Sequence, residues 1–194
     1  MKKREFLAAA LGAAALPAIS SERPMPAAAG PALLTVTGAI GRGNRGPLNP
    51  ALDQMMHKQH LAFERAYAFD FAALAAMPAV SIAPTLEYDS KPHRLAGPLL
   101  IDVAKAAGAQ VSAGSQLILR AVDGYAVAVS AADLQKYRFI VATHLDGQPM
   151  PLGGLGPLWA IYDADRFPDM LAKPLGARFA LCPWALYHID VRAA

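Results

Sequence analysis

Only one cysteine, Cys182, occurs in the 194 residues, which excludes an internal disulfide and any cysteine-based metal cluster. It lies far from the N-terminus, so it is not a lipoprotein anchor. Between Leu181 and Pro183-Trp184 it reads as a small buried apolar residue, with an exposed reactive thiol as the alternative. Charge of one sign is also scarce. The net charge is +3, and no basic stripe interleaves with aromatic residues, which argues against a nucleic-acid partner. The apolar run Phe6–Ile19 spans 14 residues, short of the roughly 20 that a membrane-spanning helix needs. No internal repeat is present.

That run has another reading. Lys2, Lys3 and Arg4 precede it and Ser20-Ser21 follow it, the order of charged, apolar and small residues in a secretory signal peptide. Lys3-Arg4-Glu5-Phe6-Leu7 is compatible with a weakened twin-arginine signal, and an ordinary Sec signal fits equally well. Residues 1–21 are therefore expected to direct export to the periplasm. Residues 22–32, rich in Pro and Ala, are expected to form a flexible spacer. Loss of Lys2, Lys3, Arg4 and Glu5 lowers the net charge from +3 to about +1, so most of the basicity belongs to the targeting segment. Residues 33–192 have the length of one domain with one core.

Within that domain the pattern predicts strands at 32–40, 80–83, 116–121, 125–130, 139–143, 158–162 and 186–191. Helices are expected over 51–68, 69–77 and 98–107, with a helical turn at 131–135. Asn49 suits the cap of the first helix. Pro98 suits the first turn of the third, and Gly108 its left-handed end. Asp123-Gly124 and Asp146-Gly147 are turn signals. Strands outnumber helices and do not alternate with them, which predicts an α+β fold with a mixed sheet and a few helices.

Two polar groups stand out along the way. The loop Gly41-Arg42-Gly43-Asn44-Arg45-Gly46 sets backbone amides between two guanidinium groups, a cradle for an anion or a polar heterocycle edge. It lacks the Lys-Ser/Thr ending of a phosphate loop, and plain solvated charge also explains it. His57, His60 and Glu64 fall three and four apart, a spacing that suits either a shared metal or a solvated helix face.

Four stretches occur in one order: HRLAGPLLIDVAKAAGA, AVDGYAVAVSAADL, LDGQPMPLGGLGPLWAIYDAD and CPWALYHIDV. In that order they resemble the oxidoreductase molybdopterin-binding domain of the sulfite-oxidase type, over roughly residues 33–192. The resemblance implies the α+β fold of that family. It also implies a molybdenum-ligating cysteine in a loop after an early strand. The matching stretch, Ser81 to Tyr88, has none, and thiolate is the soft ligand such a site uses. RGPLNP and MMHKQHLAFERAYAFD are similar to a subgroup of short exported proteins that bind a reduced pterin without molybdenum. Those proteins are linked to membrane sensors, diguanylate cyclase/phosphodiesterase or kinase, that control cyclic-di-GMP.

The resemblance thus implies a non-catalytic periplasmic protein that binds a reduced, tetrahydropterin-like ligand. The alternatives are a molybdopterin-dependent oxidoreductase subunit and a ligand-free adaptor. A pterin ring gains from stacking on an aromatic side chain, and its amino-pyrimidinone edge offers paired donors to a carboxylate. The candidate carboxylates are Glu87 and Asp123, the latter beside Tyr125. Tyr88, Trp159 and Trp184 are candidate rings, and His93 and Arg94 are candidates for the ligand's carbonyl or hydroxyls. Arg42 and Asn44 join this set through their loop. Each has a bland alternative: an exposed loop glutamate, a turn-shaping aspartate, and, for both tryptophans and for Trp184 above all, a place in the core.

Overall fold

Short apolar and β-branched segments pair into three sheets in this computed structural model, which describes residues 30–194. The proposed signal segment and most of the spacer lie outside the described residues. The first sheet takes β1 (Leu34–Gly38), β2 (Tyr67–Phe69), β5 (Gln116–Ala121), β6 (Ala126–Ser130) and β11 (Leu186–Arg192). Their order is β2-β1-β11-β5-β6. β1 and β11 run parallel and the other pairs antiparallel, so the sheet is mixed. The second sheet is antiparallel, with β3 (Ala79–Ile82), β4 (Leu95–Pro98), β8 (His144–Leu145) and β9 (Gln148–Pro149) in that order. β7 (Ile140–Ala142) pairs with β10 (Trp159–Ile161). The helices are short: α1 (Gln54–Lys58), α2 (Phe71–Ala75), α3 (Leu100–Ala106), α4 (Ala131–Lys136) and α5 (Pro168–Leu171). The architecture is α+β with a few helices, as the sequence pattern indicated. Among the described residues no helix is long and apolar enough to cross a membrane.

One face of the five-stranded sheet carries Leu34, Val36, Leu117, Leu119, Ile189 and Val191, all buried in the core. Strand alternation puts Thr35, Thr37 and His188 on the other face, where they are buried as well. β4 lies so close to β7 that a Cβ on Gly97 would stand 1.9 Å from the Val141 carbonyl oxygen. Only glycine allows that approach.

The expected helix over 51–68 is mostly absent. It ends at Lys58 because His60 adopts φ 58° and the Leu61 amide bonds back to the Met56 carbonyl, closing the last turn. Residues 67–69 are drawn instead into an edge strand, with Tyr67 against Val36 and Phe69 against Leu34. Asn49 still works as a cap of local turns, its side-chain oxygen accepting from the amides of Ala51 and Leu52. Pro98 closes β4 rather than opening α3, because it pairs with Ala79 of β3. Leu186–Arg192, the last strand of the chain, is the central strand of the first sheet.

Candidate functional site

The residues between β3 and β4 form an arm, 83–93, that doubles back on itself. Thr85 bridges to Pro92, the His93 amide donates to the Pro84 carbonyl, and Leu86 is buried as its anchor. The Thr85 amide also donates to Asp165 Oδ2 at 2.7 Å, tying the arm to the turn at Ala164–Arg166. At the far end, His93 sits between two carboxylates. Its Nδ1 is 2.7 Å from Asp146 Oδ2 and its Nε2 is 3.0 Å from Asp89 Oδ2. The tip between these anchors presents Glu87 and Tyr88.

Two more segments complete a cavity of about 320 Å³ in front of that tip. The β5–β6 turn contributes Asp123 and Tyr125, and residues 176–184 contribute Gly176, Cys182 and Trp184. Tyr125 spans the two, its hydroxyl donating to the Ala180 carbonyl at 2.7 Å. Asp123 shapes its turn by accepting from the Tyr125 amide at 2.9 Å, and its exposed side chain still faces the cavity. Behind the wall, the Trp159 indole donates to the Cys182 carbonyl at 2.9 Å, and the backbone of Trp159 bridges to Trp184. Gly176 leaves room beside Glu87: a Cβ there would stand 3.1 Å from Glu87 Oε2.

Two groups beside Glu87 are held neutral. Burial pushes the Tyr88 phenol up, and the neighbouring Glu87 adds to the shift, so the phenol keeps its proton at neutral pH. Burial also pushes the Cys182 thiol well above its usual range, with Glu87 contributing again. Cys182 therefore lies in the cavity wall as a neutral, nearly inaccessible thiol, 5% exposed. In sequence Cys182 precedes the final strand, far from the Ser81–Tyr88 stretch. The fold brings the two together.

The structure gathers Glu87, Tyr88, Asp123, Tyr125 and Trp184, five of the ten candidate ligand residues, around one cavity. Trp159 is not among the lining residues. It is 1% exposed, because it fills the space between β10 and the 182–184 segment. Trp184, read as the likelier core ring, is the one that lines the cavity, 38% exposed. His93 and Arg94 lie outside the lining; Arg94 Nε donates to Ser81 Oγ at 3.0 Å. Asn44 is spent on the backbone of Ala68, accepting from its amide and donating to its carbonyl. Arg42 lies on the same distant loop, where its amide bonds to the Ala107 carbonyl. Next to it, Arg45 pairs with Asp53 at 2.5 Å and lies over the Phe63 ring. Among the described residues no group of three or more His, Cys, Asp and Glu could hold a metal, so His57, His60 and Glu64 form no such site. Gly176 and Phe179 escaped notice in the sequence, since the short turn at Leu175–Ala177 has no periodic signature.

No family model matches the chain. No curated protein matches it either. Among solved structures it is similar to the sulfane dehydrogenase SoxCD from Paracoccus pantotrophus, with a TM-score of 0.52 and 9% identity. The match covers 81% of this chain and 37% of that one, so the chain spans little more than a third of its neighbour. At that identity the likeness is one of fold.

Proposed function

We propose that the cavity in front of Glu87 binds a reduced pterin and that the protein is a non-catalytic binding protein. The observation that carries this reading is the meeting of the Glu87 carboxylate with the rings of Tyr88 and Trp184 around about 320 Å³ of space. A flat heterocycle entering there finds aromatic surface for stacking and a carboxylate for its paired N–H donors. The fold-level likeness to a sulfane dehydrogenase and the sulfite-oxidase-type sequence resemblance are both consistent with such a ligand.

The competing reading is a molybdopterin-dependent oxidoreductase, and one observation favours it: Cys182 lines the same cavity. A thiol must lose its proton to ligate a metal. The burial that raises the Cys182 thiol opposes that step. The side chains of Ser81 to Tyr88 offer only oxygen donors and lack the thiolate that a sulfite-oxidase-type site uses.

In this proposal the protein works in the periplasm and reports pterin status to the periplasmic region of a membrane sensor that controls cyclic-di-GMP. The N-terminal segment and the subgroup resemblance support that role. So does the exposure of Tyr88, Tyr125 and Trp184, since a partner closing over the cavity mouth would touch wall and ligand together. Elemental analysis of protein from molybdate-fed cells tests the binding-protein reading. Molybdenum far below one atom per chain is the expected result, and a stoichiometric content overturns it.

A further inference from the structure

The His93 clamp requires a particular protonation state. Both ring nitrogens face carboxylate oxygens, at 2.7 Å and 3.0 Å. Ionised carboxylates only accept hydrogen bonds, and a neutral imidazole can donate only one. Both contacts therefore form as hydrogen bonds only with the imidazolium. Asp146 belongs to the β8–β9 turn and is fixed independently, since its Oδ1 accepts from the Arg94 amide at 2.9 Å and its own amide donates to the Arg94 carbonyl. Asp89 belongs to the arm itself, beside Glu87 and Tyr88. The longer, arm-side contact is the one a neutral His93 gives up.

We infer that His93 is a positioning residue: as the imidazolium it ties the arm tip to the β8–β9 turn, and its deprotonation releases that tip and weakens ligand binding. The inference rests on the proposed role of the cavity for its second half only. The charged groups that act on the ring are Asp146 from the turn and Asp89 from the arm, with Lys91 acting on Asp89 in turn, while the neighbouring Arg94 side chain donates to Ser81. Hydrogen bonds from His93 to Asp146 and then to Asp89 raise the His93 pKa above its ordinary 6.5, and both carboxylates are lowered. A raised histidine pKa gives a contribution that is complete below 6.5 and is lost as the pH rises through the shifted value. The arm is therefore held below the raised His93 pKa and freed above it.

The test follows the ligand-free protein by hydrogen exchange from about pH 6 to about pH 9, with His93 titrated by NMR in parallel. The reporters are the amides of Leu86 and Ser90, which close the arm through the carbonyls of Lys91 and Leu86. Protection factors should fall about threefold as His93 loses its proton, the scale of an exposed ion pair. His93→Gln should be flat at the lower level. His93→Arg, whose guanidinium donates at any of these pH values, should be flat at the higher one. Protection that stays constant in the wild type while His93 titrates overturns the inference. The affinity arm uses 6-methyltetrahydropterin with wild type and His93→Gln, so that titration of the probe cancels. A responsive arm with no difference between them in pH-dependence of affinity would leave the clamp standing and remove the arm from the ligand site.

Discussion

Glu87→Ala is expected to weaken tetrahydropterin binding by roughly 30- to 1,000-fold while leaving the fold intact. If the carboxylate accepts two N–H donors from the pyrimidine edge, each bond is worth about 1.5–3 kcal/mol before non-additivity, and their joint loss costs about 2–4 kcal/mol. In the free protein Glu87 has the Tyr88 phenol as a hydrogen-bond partner, and the arm is anchored through Leu86, Thr85 and His93 rather than through Glu87. Thermal stability should therefore shift by no more than about 0.5 kcal/mol. Titration calorimetry paired with melting curves reads both quantities. Asp123→Ala provides the contrast: its carboxylate shapes the turn by accepting from the Tyr125 amide, so it should affect melting at least as much as affinity. Unchanged affinity in Glu87→Ala would mean that the ligand edge is read elsewhere.

The two tryptophans should separate into a stability residue and a binding residue. Trp159→Ala removes a fully buried ring and leaves the Cys182 carbonyl without its indole donor. Truncation of such a ring costs about 3–5 kcal/mol, which lowers the melting temperature on the order of 10 °C in a domain of this size. Trp184→Ala removes a half-exposed ring from the cavity wall. Its stability cost should be small, and the loss should appear in affinity as the stacking contribution of about 0.5–1.5 kcal/mol plus the buried area. Melting curves and calorimetry on the pair decide between these roles. A Trp184→Ala protein that melts as low as Trp159→Ala would return Trp184 to the core.

The difficulty of telling those two rings apart shows where the sequence is legible and where it is not. Both stand among apolar neighbours in strand-like stretches, and local pattern cannot reveal which one the chain covers. The covering contact comes from the 182–184 segment folding along β10, a meeting of residues more than twenty positions apart. Features written in short range were readable: the Asp123-Gly124 hairpin with Gly124 at φ 94°, the Gly108 helix end at φ 82°, and the 116–121 and 186–191 strands. Tertiary pairing overrode local preference at 67–69, which has helical periodicity yet pairs with β1, and at Pro98, which pairs with Ala79 of β3 instead of opening a helix. The Glu87, Tyr88, Asp123 and Tyr125 group was nameable because ring and carboxylate chemistry is visible in residue types. Placing His93 was not, since its two partners lie 4 and 53 positions away and only the folded arm brings them to one ring.

The most direct test of the central claim is to identify what the protein carries. Anaerobically purified protein from the periplasm is denatured, and the released material is examined by absorbance and mass spectrometry. The account predicts a free reduced pterin, close to one per chain and without molybdenum. A released molybdopterin carrying the metal, or no ligand at all from protein that also fails to bind added tetrahydropterin, would contradict it.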